Sequence, residues 1–134
     1  MIAFMSYLKK SGSLNVVHSA FVYELADRVF RNSVDQAAFH IIRQHRSKLL
    51  EKTQVIESTD FGSGANASDY KLSFQRVADI VKKSAVSEKY GRLLFRLIEY
   101  FKPETIIELG TSVGISTLYI AMARPEAIVF TIEG

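Results

Sequence analysis

Residues 104–134 read ETIIELGTSVGISTLYIAMARPEAIVFTIEG, and this stretch decides the fold. Its two short apolar runs rich in β-branched residues, Thr105–Leu109 and Ile128–Ile132, are typical of strands buried on both faces. Between these runs, Gly110–Gly114 predicts a turn and Ile115–Arg124 predicts a helix. A strand, a helix and a second strand in this order form a βαβ unit, so the sequence predicts two parallel strands.

The turn after the first predicted strand has the composition of a ligand-binding loop. Glu108 precedes it, and Gly110 and Gly114 let the backbone turn sharply and approach a bound molecule. The helix that follows offers free N–H groups and the positive end of its dipole. Glu133 closes the next strand, where a carboxylate accepts both hydroxyls of a ribose in this topology. The pattern therefore predicts a nucleoside-containing cofactor.

The spacing of the glycines separates two classes of cofactor. A dinucleotide fingerprint G-x-G-x-x-G requires glycine at positions 110, 112 and 115, whereas the chain has Gly110, Ser112 and Ile115. This departure disfavours a nicotinamide or flavin dinucleotide. The pattern E-x-G-x-x-x-G instead resembles motif I of class I S-adenosylmethionine-dependent methyltransferases. The run ELGTSVGISTLYIA is similar to the catechol-type O-methyltransferases in particular, and the closing TIEG resembles their motif II.

The resemblance extends upstream over most of the chain, from about His18 to Gly134. The segments HSAFVYELADRVFR, TDFGSGA and KKSAVSEKYGRLLFRLIEYFKPE resemble bacterial class I methyltransferase-like proteins with a helical N-terminal extension. Ala20 stands where those relatives usually have proline. The resemblance implies S-adenosylmethionine as cofactor and a small-molecule acceptor with an oxygen nucleophile. The cofactor-binding residues that it implies are Glu108, Gly110, Thr111, Ser112, Gly114, Ser116 and Glu133.

The implied fold class is α/β, with a helical extension followed by the start of a Rossmann-like domain. Residues 1–103 form the mainly helical region, and residues 104–134 begin the S-adenosylmethionine-binding domain. A class I methyltransferase has a sheet of about seven strands, and the predicted unit supplies the first two. The chain thus resembles the N-terminal part of a longer enzyme, with the catalytic residues and any metal ligands expected downstream. We expect no methyl transfer from these residues alone, and we expect them to form a homo-oligomer through the unpaired strands or the adjoining helices.

The region before residue 104 is predicted to be largely helical. The predicted helices span residues 18–32, 33–52, 73–84 and 87–101, the first two forming a hairpin. Ser33 and Gln36 have the spacing of a capping box at the start of the second helix. Gln54–Thr59 differs in character from the helices and carries β-branched residues. Asp60–Gly64 predicts a turn, and a loop is expected to continue over Ala65–Tyr70. The last helix has an apolar stripe that we expect to be buried, formed by Tyr90, Leu93, Leu94, Leu97, Ile98 and Phe101.

Composition excludes several classes of protein. The chain is 48% hydrophobic and 23% charged, which is the balance of a globular domain rather than a disordered one. The absence of cysteine excludes a disulfide scaffold, a thiol nucleophile and a thiolate zinc site. No apolar run reaches the roughly 20 residues that cross a bilayer. We therefore predict a soluble cytoplasmic protein without a membrane partner.

Three other patterns have weaker functional interpretations. Eight Lys or Arg between residues 71 and 102 form a basic stretch that attracts nucleic acid or, more simply, solvates two helices. Asp60-Phe61-Gly62 matches the magnesium-binding triplet of kinases, but no catalytic loop precedes it. His40 and His45 lie about 140° apart around a helix, so they do not form a metal-binding pair. The alternative function is a non-catalytic helical interaction module with a vestigial methyltransferase-like turn.

Overall fold

The computed structural model describes residues 19–32, 36–60 and 71–133 of the chain. The chain forms two compact units, residues 1–34 and residues 35–134. In the first unit, helix α1 (Ala20–Leu25) continues directly into a π-helical turn, Ala26–Phe30. The Ser19 hydroxyl accepts a hydrogen bond from the Val22 N–H at 3.4 Å and so caps α1. This confirms the first predicted helix, while its pairing with the next helix in a hairpin stays a prediction.

Three helices form most of the second unit: α2 (Ala37–Leu50), α3 (Val77–Lys83) and α4 (Glu88–Phe101). The structure confirms the predicted helices that correspond to α2 and α4. Ser33 of the predicted capping box lies outside the described residues. The Gln36 side chain makes no cap and instead donates to Glu99 of α4 at 3.0 Å. Lys102 ends α4 in the left-handed conformation, and Pro103 follows.

A short antiparallel hairpin separates α2 from α3. Strand β1 (Val55–Asp60) forms in the segment that carries the β-branched residues, and it pairs with β2 (Lys71–Arg76) so that Val55 faces Arg76. The predicted helix from Ser73 is therefore wrong over residues 73–76, because these residues complete the hydrogen-bond ladder with β1. The alternation of Leu72 and Phe74 with polar residues is the sequence signal for this strand. The predicted turn beyond Asp60 and the loop to Tyr70 lie outside the described residues.

The βαβ unit forms as predicted. It consists of β3 (Thr105–Leu109), α5 (Ile115–Ala123) and β4 (Ile128–Ile132). The two strands are parallel, and their register places Thr105 beside Ile128 and Leu109 beside Ile132. Helices together with two small sheets make the described part of the chain an α/β structure at a coarse level.

The core of the second unit joins α5 to α2 and α4. The Phe39 ring of α2 meets Phe95 edge-on at 5.0 Å between centroids and lies 6.0 Å from the ring of Tyr119. The ring of Tyr119 covers Gly91 of α4. The buried residues of this core are Phe39, Ile42, Leu49, Val77, Val81, Phe95, Ile115 and Tyr119. The helical region and the βαβ unit therefore share one hydrophobic core within residues 35–134.

The buried face of α4 differs from the predicted stripe. Tyr90 and Phe101 are 60% and 54% exposed, so their predicted burial is wrong. The most buried line of this helix instead runs through Gly91, Phe95 and Ile98. These residues are the most buried because α5 packs closely on α4 at Gly91, so this side of α4 faces the core. A count of apolar residues does not detect a contact face that contains glycine.

A set of arginines ties α2 to the ends of α3 and α4. Glu88 accepts hydrogen bonds from Arg43 at 2.9 Å and from Arg92. These guanidinium groups, Arg43 first and then Arg92, hold the pKa of the Glu88 carboxyl below its ordinary value. Arg46 donates to the backbone carbonyls of Val86 at 2.6 Å and Val81 at 3.3 Å. Part of the predicted basic stretch thus has a structural role inside the chain.

One face of the β3–β4 sheet carries exposed apolar side chains. Their exposed fractions run from 56% to 79%, and they belong to Ile107, Leu109, Ile128, Phe130 and Ile132. We call this set the open sheet face. Soluble proteins rarely expose contiguous apolar patches of more than a few hundred Å² unless the patch binds something.

No helix within the described ranges is long and apolar enough to cross a membrane.

We expect Gly91→Ala to destabilise the chain although alanine usually favours a helix by about 1 kcal/mol. The added Cβ would lie 2.2 Å from the ring of Tyr119, and overpacking of this kind costs about 1–3 kcal/mol. Urea denaturation of Gly91→Ala, Tyr119→Leu and the double variant measures the coupling. A favourable coupling is expected because leucine vacates the space of the ring. A Gly91→Ala variant as stable as the parent would contradict the packing.

We expect the 134-residue chain to self-associate through the open sheet face, because an unpaired, apolar parallel sheet seeks a covering surface. Phe130→Lys should shift the chain towards monomer in light scattering at micromolar concentration. Phe74→Lys is the matched control, since Phe74 is a strand phenylalanine of β2 that is 72% exposed. A monodisperse, folded monomer of the unmodified chain would contradict this prediction.

Candidate functional site

The turn between β3 and α5 has a tightly constrained backbone. Gly110, Ser112 and Gly114 all adopt positive φ angles, of 87°, 48° and 74°. The Gly110 N–H donates to the Ile132 carbonyl at 2.8 Å, and the Gly114 N–H donates to the Thr111 carbonyl at 2.8 Å. The turn is therefore anchored to the end of β4 and closed on itself before α5 begins.

Both glycines of the turn border open space. A Cβ built at Gly110 or Gly114 would meet no heavy atom of the described chain within 4 Å. These glycines are therefore not needed to avoid a clash with the described chain. The positive φ strains any other residue, and the bare backbone leaves room for a molecule to approach the turn. This open space fits a ligand that contacts main-chain atoms.

The two ends of the predicted site come together at Glu133. This exposed residue follows β4 directly, and its Oε2 atom accepts a hydrogen bond from the Ser112 N–H at 2.7 Å. Ser116 lies in the first turn of α5, half-buried. The structure thus brings the exposed Glu133 into contact with the turn.

Glu108 forms a second, buried part of the site. It is only 8% exposed, and its Oε2 atom accepts hydrogen bonds from Thr117 Oγ1 at 2.6 Å and Thr131 Oγ1 at 2.9 Å. Thr131 is also hydrogen-bonded to Thr111 of the turn. The other oxygen, Oε1, is buried and has no hydrogen-bond partner among the described residues.

Thr117 and Thr131 are members of the site that the sequence pattern misses. Thr131 is directly opposite Glu108 in the parallel register, and Thr117 follows the turn on α5. The signal for Thr131 is its position two residues before Glu133, which places it on the Glu108 side of the sheet once the register is known. Thr117 has no comparable signal, because its contact depends on how α5 crosses the strand.

The arrangement offers three kinds of recognition within one short segment. Glu133 supplies a solvent-facing carboxylate, Glu108 supplies a buried acceptor oxygen, and the N-terminus of the nine-residue helix α5 supplies positive potential. A molecule with hydroxyl or ammonium donors beside an anionic group matches this set. In the described part of the chain, no three His, Cys, Asp or Glu side chains are grouped as metal ligands.

The other sequence candidates lie on other elements of the chain. His40 is exposed on α2 and its Nε2 atom is 2.9 Å from the Gln44 amide nitrogen, while His45 is exposed on the same helix. Asp60 ends β1, and the rest of the Asp-Phe-Gly triplet lies outside the described residues. One side of α2, from His40 to Glu51, lines a shallow surface groove of about 580 Å³. None of these features is joined to the turn by a hydrogen bond or ion pair described above.

A comparison of the chain with family models, curated proteins and solved structures finds no match. The functional argument therefore depends on the sequence pattern and on the geometry of the turn.

Proposed function

We propose that residues 105–133 form the first half of the S-adenosylmethionine site of a class I methyltransferase. The observation that carries this proposal is the contact between Glu133 and the Ser112 N–H. It sets a partly exposed carboxylate beside a turn whose glycine backbone borders open space. Motif I spacing and the acid after the second strand support S-adenosylmethionine over a dinucleotide.

Glu133 is the acceptor for the ribose in this proposal. A carboxylate has two oxygens with about four lone-pair sites, and the Ser112 N–H occupies one of these sites. The remaining sites accept two neighbouring hydroxyls without breaking the contact to the turn. Glu133 therefore binds the ligand while it continues to hold the loop that surrounds it.

The turn and α5 act on the other end of the ligand. Gly110 and Gly114 leave main-chain atoms accessible, and the first N–H groups of α5 attract an anionic group such as a carboxylate. When bound, S-adenosylmethionine supplies a methyl group activated by a sulfonium centre. Transfer of such a group depends mainly on in-line positioning of donor and acceptor. In this proposal these residues hold the methyl donor, and the acceptor is a small molecule with an oxygen nucleophile.

We expect Glu133→Ala to weaken S-adenosylmethionine binding by about 1.5–3 kcal/mol for each charged hydrogen bond lost. Isothermal titration calorimetry on the full-length protein measures this change. Glu104→Ala is the control, because Glu104 is an exposed acid at the opposite end of β3. Unchanged affinity in Glu133→Ala would sink the proposal and favour a vestigial turn in a non-catalytic interaction module.

We expect Gly110→Val to abolish binding while the fold persists. The branched side chain of valine would enter the open space beside the turn. In addition, the backbone at position 110 has a φ of 87°, which is strained for any residue except glycine. Glu104→Ala is again the control, because Glu104 is an exposed acid at the opposite end of β3. Circular dichroism confirms folding, and calorimetry measures affinity. Equal affinity of Gly110→Val and the parent would contradict the assignment of this turn.

A further inference from the structure

The buried carboxylate of Glu108 has an unequal distribution of hydrogen bonds. Its Oε2 atom accepts two hydroxyl hydrogen bonds, while the buried Oε1 atom accepts none from the described residues. Leaving a buried acceptor unsatisfied costs about 1–3 kcal/mol, and more for a charged group. Native proteins avoid such atoms except where they have a purpose. We therefore expect the Oε1 atom to accept a hydrogen bond from a donor outside the described residues.

We propose that Thr117 and Thr131 are positioning residues of the cofactor site. Their hydroxyls hold Oε2 of Glu108, so that Oε1 is directed at a cationic donor of the bound ligand. This inference rests on the proposed function, and it assigns a task to two residues outside motif I and motif II.

The geometry shows how the two threonines divide this task. Thr131 comes from β4, directly beside Glu108 in the register, and Thr117 comes from α5. Because three elements meet at one oxygen atom, the carboxylate cannot rotate without breaking two hydrogen bonds. Oε1 consequently keeps one direction before any ligand arrives, which reduces the entropy lost on binding.

Proton counting links this arrangement to the turn. A hydroxyl has a single proton, and Thr131 donates it to Glu108. In the hydrogen bond between Thr111 and Thr131, Thr111 is therefore the donor. The chain of bonds runs from Thr111 through Thr131 to Glu108, so the hydroxyl that orients the buried carboxylate also holds the turn.

The same count identifies the class of the missing donor. Both threonine hydroxyl protons are used at Oε2, so the partner of Oε1 must bring its own proton. In the proposed ligand, Glu133 takes the ribose hydroxyls, and the charged donor that remains is the ammonium group of the methionine part. A hydrogen bond between two charged groups is roughly twice as strong as one between neutral groups.

Three ligands isolate this interaction in calorimetric titrations of the full-length protein. S-adenosylhomocysteine carries both the ammonium and the carboxylate of the amino acid. S-adenosyl-3-thiopropylamine keeps the amine and lacks the carboxylate, and 5′-methylthioadenosine lacks both. All three share the adenosine and a neutral thioether, so differences among them report the amino-acid end.

The variants are Thr117→Val and Thr131→Val, which remove a hydroxyl at nearly constant shape, with Thr117→Ser and Thr131→Ser as rescue variants. We expect each valine variant to weaken the two amine-bearing ligands about tenfold, which is about 1.4 kcal/mol. In Thr117→Val, which removes the hydroxyl that bonds to Glu108, binding of 5′-methylthioadenosine should change less than twofold. The serine variants should restore parental affinity. Thr105→Val is the control, because Thr105 lies at the exposed start of β3. Thermal unfolding identifies any variant that has lost its fold.

Each other outcome overturns a defined part of the argument. An equal loss for all three ligands in Thr117→Val would show that this threonine supports the fold alone. Unchanged affinities would show that Oε1 is satisfied by water instead of by the ligand. Either result leaves the proposed function standing if the parent protein binds S-adenosylhomocysteine. A parent protein that binds none of the ligands would overturn the proposed function together with this inference.

Discussion

The contact between Gly91 and Tyr119 is the constraint on which the second unit depends. The absence of a side chain at Gly91 lets the ring of Tyr119 lie directly on α4. The same ring packs near Phe39 of α2, and burial raises the pKa of the Tyr119 hydroxyl. Aromatic rings bury large apolar areas and prefer such tilted arrangements. The Tyr119 side chain therefore packs α5 against both α2 and α4.

The packing of α5 against α2 and α4 also determines the geometry of the candidate site. Helix α5 connects β3 to β4, so fixing it on α2 and α4 fixes the crossover between the parallel strands. Tyr119 lies two residues after Thr117, whose hydroxyl reaches Glu108 from the same helix. A rotation of α5 that released Tyr119 from the core would also withdraw Thr117. The hydrophobic core and the buried carboxylate are thus coupled through one short helix.

The sequence predicted those features that depend on local pattern. The β-branched runs, the glycine turn and the helix between them define the βαβ unit without reference to the rest of the chain. Strand β2 was not predicted because its hydrogen bonds go to β1, and the choice between strand and helix for a six-residue segment depends on that partner. The buried face of α4 likewise depends on the position at which α5 packs against it. In the site, Glu133 and the glycines follow from spacing, whereas Thr117 and Thr131 require the register of the sheet and the crossing of α5.

Ser112 explains how this turn works without the second glycine of a dinucleotide loop. A residue with a Cβ in the left-handed conformation costs about 1–2 kcal/mol, and Ser112 has a φ of 48°. A hydrogen bond to a charged acceptor contributes about 1.5–3 kcal/mol, and the Ser112 N–H makes one with Glu133. The two terms are of similar size, so Glu133 offsets the strain at Ser112. A ligand that took Glu133 away from the turn would release that strain, whereas a ligand that shares the carboxylate preserves the loop conformation. In the proposed site, small hydroxyl donors would be favoured because they leave the contact between Glu133 and Ser112 intact.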